Sequence, residues 1–358
     1  MGTPCASVFD TDIVALRAWQ PKINHPGATA DSLILNLADS DLDTALVAKE
    51  NSEQSDDMTW RDKLRAWWHG DDYVMQHMVK DYSTQPSTTD LPAEDAPREV
   101  PSIDSWSPRR LQVAQKLFGE GFNTPGGEEL MKPLTAPLGL NPNMSITELG
   151  SGMGGMSRMM ARENLWIDAY EPDPDLAAVS IELAKGQGVK QRTNIKSTAL
   201  DDISFKRKSV DVFLSKDGLM SVQDKRLLLA KLRAAMKPGG QLMFTDFLLT
   251  GSTESRVYEV WWDREPVKPH LLTPEGLQAE LESLNFIICY MEDVTHELKA
   301  AVIESFGRYA EEVKLLGKAV DENEREWAIT EGEHWAIRLS AMDANVIRLY
   351  RVFCRTVD

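Results

Sequence analysis

Cysteine is scarce: Cys5, Cys289 and Cys354 are the three in 358 residues, and none stands in a CxxC or Cys/His spacing. That excludes a disulfide framework and a cysteine-built zinc site, and reduced thiols are expected. No apolar run approaches the roughly 18 residues a membrane helix needs. Met1 to Asp12 lacks the basic region and apolar stretch of a secretory signal, so a cytoplasmic protein without a membrane span is expected. Positive charge is also short. Against 56 acidic residues stand 39 basic ones, a formal charge of -17, which repels phosphate backbones and makes nucleic acid an unexpected partner. Internal repeats and metal-ligand spacings are absent too, so no metal is expected.

What is present is a chain that is 42% hydrophobic, enough for a full-sized core. Residues 1–57 read as a flexible acidic tail in which Leu33 to Val47 can form a helix. Within residues 58–100, Trp60, Leu64, Trp67, Val74, Met75 and Met78 recur at helical spacing, and Pro86, Pro92 and Pro97 then mark an extended linker. Residues 101–294 read as the core, 295–345 as a helical cap insertion and 346–358 as the last edge strand. The Met58 to Tyr82 helices and the His296 to Ala344 insertion are expected as a lid over the carboxyl end of the sheet, with a homodimer interface or packing on the sheet's far side as the alternatives.

From Asn143 onward short apolar runs alternate with helical stretches. Strands are predicted at Ser145 to Leu149, Trp166 to Glu171, Arg192 to Lys196, Val210 to Ser215, Gln241 to Phe247, Phe286 to Met291 and Val346 to Phe353. The fold class is α/β: a Rossmann-like, seven-stranded, mostly parallel sheet with helices on both faces. The last two strands are expected to pair antiparallel at an edge.

The first strand runs into Glu148-Leu149-Gly150-Ser151-Gly152-Met153-Gly154-Gly155, a glycine turn at a strand's carboxyl end where a ligand can touch backbone. Glu171 closes the next strand 21 positions after Gly150, placed to accept both hydroxyls of a ribose. A nucleoside ligand follows. Gly150, Gly152 and Gly155 also fit the dinucleotide pattern, which would place a pyrophosphate at the helix N-terminus. Glu148 opposes that reading, because a carboxylate there repels pyrophosphate but can hold a cationic amino group.

The turn Lys237-Pro238-Gly239-Gly240 and the E-x-G-x-G-x-G run resemble motifs of class I S-adenosylmethionine-dependent methyltransferases. More narrowly, Phe118-Gly119-Glu120-Gly121-Phe122-Asn123-Thr124-Pro125-Gly126-Gly127 resembles the FGxGFxSxGG segment of phosphoethanolamine N-methyltransferases. Ser215 to Lys225 is similar to their SRDTILHIxDK segment. The resemblance covers about half the chain, from Trp106 to Met291. It implies S-adenosyl-L-methionine as cofactor, with Asn123 and Thr124 bordering it and the turn Gly150, Ser151, Gly152 beneath it. It further implies Glu148 and Gly150 at the methionine part, Glu171 and Pro172 at the ribose, Ala199 and Leu200 at the adenine, and Lys216 near the carboxylate.

Asp217 matches the family aspartate facing the substrate amine, and Trp106 falls where the family has a catalytic tyrosine; these two are the catalytic candidates. Ser221 stands where the family has its catalytic histidine. Asp263, Val267 and Pro269 fall where it has phosphate-gripping Tyr and Arg. Phosphoethanolamine is thus not the expected substrate, and a small polar metabolite, methylated on N, O or S by in-line displacement, is. A nicotinamide-dependent oxidoreductase and a catalytically silent cofactor-binding module are the alternative readings.

Overall fold

The computed structural model describes residues 103, 105–316 and 320–357. The expected acidic tail, the Met58 to Tyr82 helices and the proline linker lie outside the described residues. Seven strands form one sheet: β1 (Ile146–Leu149), β2 (Ile167–Glu171), β3 (Thr193–Ser197), β4 (Val210–Lys216), β5 (Met236–Leu249), β6 (Phe286–Asp293) and β7 (Ile347–Thr356). Their order is β3-β2-β1-β4-β5-β7-β6. The five strands from β3 to β5 run parallel, whereas β7 is antiparallel to both β5 and β6.

Among the described residues nine α-helices flank the sheet: α1 (Pro108–Phe118), α2 (Gly127–Thr135), α3 (Gly155–Arg162), α4 (Pro174–Gly186), α5 (Lys225–Ala235), α6 (Arg256–Arg264), α7 (Pro274–Ser283), α8 (Thr295–Leu316) and α9 (Glu322–Asp343). Their starts follow from local chemistry. Ser107, Asp173 and Thr273 each accept a backbone N–H as N-cap, and each is followed by a proline at the first helical position. One core on the face of α1 to α3 contains Ile146, Val212, Leu214, Met243 and Phe353; another on the face of α5 and α7 contains Leu149, Phe213, Leu242, Phe244 and Val352. Alternate residues of β4 and β5 thus serve opposite cores, the period-2 rule of a strand buried on both faces.

Two expectations are corrected. The last strand is not at the edge: β7 lies between β5 and β6, with Phe247 opposite Leu349, and β6 is the outer strand. Apolar residues on both faces of β7, Val352, Phe353 and Cys354 among them, are buried in the two cores, and its backbone pairs on both sides. The turn Lys237 to Gly240 does not precede β5 but interrupts it. Met236 already pairs with Val210, the register then shifts, and Gly239 at φ +70° absorbs the irregularity.

Between β6 and β7 stand α8 and α9. Asp293 ends β6 opposite Tyr350, and Tyr350 lies opposite Asp246, so the insertion leaves and rejoins the sheet at the carboxyl half of β5. Buried polar groups fasten it. Arg338 on α9 grips Glu265 with two hydrogen bonds of 2.9 and 2.6 Å, and Trp261 Nε1 donates to the same carboxylate at 2.6 Å. Burial among these groups pushes His334 down to about 3, so its ring is neutral beside the Arg338 guanidinium. Arg110 on α1 pairs with Glu331, both buried.

Candidate functional site

The switch point of the sheet lies between β1 and β4, where strand order reverses and a crevice opens at the carboxyl ends. The glycine turn fills it. Gly150, Gly152 and Gly154 have φ of +66°, +55° and +77°. A Cβ on Gly150 would lie 2.6 Å from the Gly218 Cα, and one on Gly152 would lie 2.2 Å from Asn123 Oδ1. Only glycine lets three segments, the turn, the Asn123 loop and the Gly218 loop, meet here.

Glu171 binds the turn from β2. Its Oε2 accepts the Gly152 N–H at 2.6 Å and its Oε1 the Asp173 N–H at 2.9 Å. Burial pushes this carboxyl up to about 7, against the pull of those two amides. Each oxygen keeps one lone pair, enough for two ribose hydroxyls. Pro172 and Ala199 are exposed at the same rim, and Thr198 N–H donates to the Glu171 carbonyl at 3.0 Å.

Three sequence-derived positions have their side chains in packed surroundings. Glu148 is buried under the first turn of α3, where its carboxylate accepts from the Ser157 hydroxyl, and desolvation raises it to about 7. It supports the turn from below, a consequence of its inward-facing place on a short strand buried along its whole length. Leu200 points into the core among Ile203, Phe213 and Tyr170 rather than to the crevice. Trp106 stacks under the Arg110 guanidinium, 3.8 Å from ring centroid to Cζ, in the seam between α1 and α9. Its ring face meets that cation.

A second polar group stands at the ends of β4 and β5. Lys216 Nζ donates to Thr124 Oγ1 at 3.0 Å and to Asp217 Oδ2 at 2.6 Å. Thr245 Oγ1 donates to Asp217 Oδ1 at 2.6 Å. Lys216, Asp217 and Thr245 line a pocket of about 20 Å³ together with Glu297 on α8 and Arg351 on β7. A bidentate bond joins those two, each contact 3.1 Å. Asn123 Oδ1 accepts the Met153 N–H at 3.4 Å, so the Asn123-Thr124 dipeptide touches both the glycine turn and the Lys216–Asp217 pair.

Sequence reasoning missed Thr245, Arg158 and Ser157. Arg158 is buried below the turn, donates to the Met153 carbonyl and reaches the Glu120 carbonyl at 3.4 Å. Its signal was a cation in the apolar register of α3; Thr245 had only the mild signal of a hydroxyl inside an apolar strand.

The crevice suits a nucleoside with a cationic amino-acid tail. The Ser151 hydroxyl is buried there without a hydrogen-bond partner, the turn leaves no room for a side chain, and the Glu171 carboxylate closes the turn. Among the described residues no cluster of His, Cys, Asp and Glu forms a metal site, and no helix is long and apolar enough to cross a membrane.

Comparison with known proteins agrees with this geometry. Residues 126–289 match the family described as Methyltransferase domain. Phosphoethanolamine N-methyltransferase 3 of Arabidopsis thaliana is 29% identical over 147 residues, 41% of this chain and 30% of the relative. The sarcosine/dimethylglycine N-methyltransferase of Halorhodospira halochloris is 25% identical over 176 residues, 48% of this chain and 60% of the relative. Phosphoethanolamine N-methyltransferase 2 of Haemonchus contortus, solved with phosphomonomethylethanolamine and S-adenosylhomocysteine, superposes with a TM-score of 0.62 at 19% identity, covering 69% of this chain and 57% of that one. The chain spans about a third of the length of the first curated relatives it matches. Residues 126–289 are thus similar to a methyltransferase domain, the chain resembles the phosphoethanolamine N-methyltransferases in sequence, and its fold is that of the Haemonchus contortus enzyme.

Proposed function

We propose that this chain is an S-adenosylmethionine-dependent methyltransferase acting on a small polar amine. One observation carries the reading: Glu171, the glycine turn and the Lys216–Asp217 pair meet at one sheet edge, linked through Asn123 and Thr124. The cofactor, when bound, supplies an electrophilic methyl on a sulfonium. Glu171 and Ser151 hold the ribose side, Gly150 and Gly152 admit close backbone approach, and Lys216 offers a cation to the tail carboxylate.

Asp217 faces the acceptor. Thr245 and Lys216 each occupy one of its oxygens, leaving one lone pair on each for the N–H of an amine. The forming N–C bond uses the nitrogen lone pair, the S–C pair departs with sulfur, and the nitrogen proton passes to Asp217 or to water. The protein's work is alignment and exclusion of water, which the buried flank of α8 assists.

Support also comes from the relatives, whose names specify phosphoethanolamine and sarcosine or dimethylglycine, all small amines. Asp263, Val267 and Pro269 in the places of that family's phosphate-gripping Tyr and Arg favour an amine without a phosphate. The nicotinamide reading would set a pyrophosphate above two buried carboxylates, Glu148 and Glu171, and gains no support. The test is a screen of sarcosine, dimethylglycine, phosphoethanolamine and simple amines for S-adenosylhomocysteine release. Turnover with a non-phosphorylated amine is expected; methylation of phosphoethanolamine alone would overturn the substrate class.

A further inference from the structure

Two consecutive residues of β5 grip one loop from opposite faces of the sheet. Thr245 accepts the Asp217 N–H at 3.0 Å on its hydroxyl, which itself donates to Asp217 Oδ1 at 2.6 Å. Asp246, facing the other core, pairs with Lys225, whose Nζ also donates to the Leu219 carbonyl at 2.8 Å. The loop between β4 and α5 is therefore pinned at residues 217 and 219. Asp217 needs the hold, because its φ of +55° is a left-handed conformation that residues with a Cβ rarely adopt.

We propose, resting on the reading of Asp217 as the acceptor-side carboxylate, that Thr245 is a positioning residue of the reaction: its hydroxyl fixes the carboxylate of Asp217 and shares the Asp217 N–H with the Thr245 carbonyl, which accepts it at 3.2 Å. The reciprocal bond does this with one group. A threonine is apt, since a β-branched side chain in a strand has restricted χ1 freedom and so aims its hydroxyl in a narrow cone. Lys216 holds the second oxygen of the carboxylate, so neither oxygen is free to rotate away. Thr245 also lines the pocket between Asp217 and Arg351, opposite which it pairs across β5 and β7.

Thr245→Val keeps the shape and removes the hydroxyl; Thr245→Ser keeps the hydroxyl. Methylation of sarcosine and of phosphoethanolamine is followed by S-adenosylhomocysteine release, cofactor affinity by calorimetry, and the Asp217 carboxylate by crystal structures of both variants. For Thr245→Val a roughly 10- to 100-fold fall in kcat is expected, the effect of losing a hydrogen bond to a charged group, with S-adenosylmethionine affinity held and the carboxylate turned away. Thr245→Ser is expected to restore most of the rate and the carboxylate's place. An unmoved carboxylate in Thr245→Val overturns the proposal, as does a loss of cofactor affinity matching the loss of rate, which marks a merely structural threonine. If wild type methylates neither compound, the substrate reading fails separately, and the crystal structures alone decide the role of Thr245.

Discussion

Glu171 accepts the Gly152 N–H at 2.6 Å, so the acid that ends β2 and the turn that follows β1 form one rigid unit before any ligand arrives. The same carboxylate therefore shapes the cradle and, on the proposed reading, offers the ribose acceptors. Glu171→Ala removes both functions, and S-adenosylmethionine affinity is expected to weaken by about 1 to 3 kcal/mol, the usual cost of unsatisfied buried partners. Calorimetry checks this, and an unchanged affinity in a folded variant would place the ribose elsewhere.

Cofactor affinity is also expected to depend on pH. Burial holds Glu171 and Glu148 up at about 7, against 4.5 in the free side chain, so the folded chain binds more protons than the unfolded one between those values. Ionising both groups therefore costs stability as pH rises from 4.5 toward 7, and nothing further is lost above that. Ribose hydroxyls donate to the charged form, so binding favours it. Affinity at pH 8 is expected to exceed that at pH 6 by about tenfold through Glu171, the one of the two that faces the ribose, and Glu171→Gln should flatten the profile. A flat wild-type profile would contradict this.

The attachment of the insertion rests on a buried ion pair. Arg338→Met leaves the Glu265 carboxylate buried with only Trp261 and His334 beside it, and a loss of about 3 to 5 kcal/mol in unfolding free energy is expected. Urea denaturation measures it. A loss under about 1 kcal/mol, the range of an exposed pair, would mean that solvent reaches the seam.

The first turn of α8 shares a pocket with Asp217, through Glu297 and Leu298. If α8 covers the acceptor side, S-adenosylmethionine should slow hydrogen exchange in residues 295–302 as well as around the glycine turn. Protection confined to the turn and Glu171 would count against a lid.

The sequence made the parallel strands legible because each is an apolar run with a helix between it and the next, and it made Gly150, Gly152 and Glu171 legible because their spacing follows from ribose geometry. It did not reveal that β7 is interior, since pairing partners of a C-terminal strand leave no local trace. The depth of Glu148 was hidden for a related reason: a carboxylate on a short strand reads the same whether it faces a ligand or a helix, and only Ser157 on α3 decides. Trp106 matched a motif position, yet Arg110 four residues along and Glu331 across the fold draw it into the seam. Thr245 carries no motif at all; its role arises from a backbone conformation at Asp217 that sequence patterns do not encode.

The most direct test of the methyltransferase reading is titration calorimetry of the chain with S-adenosylmethionine, beside NADH and beside Gly152→Val. A valine at φ +55°, with its Cβ 2.2 Å from Asn123 Oδ1, closes the cradle. Saturable binding of S-adenosylmethionine by wild type, its loss in Gly152→Val with the fold retained, and no heat with NADH are the expected results. Binding of NADH with none of S-adenosylmethionine at millimolar concentration would contradict the account.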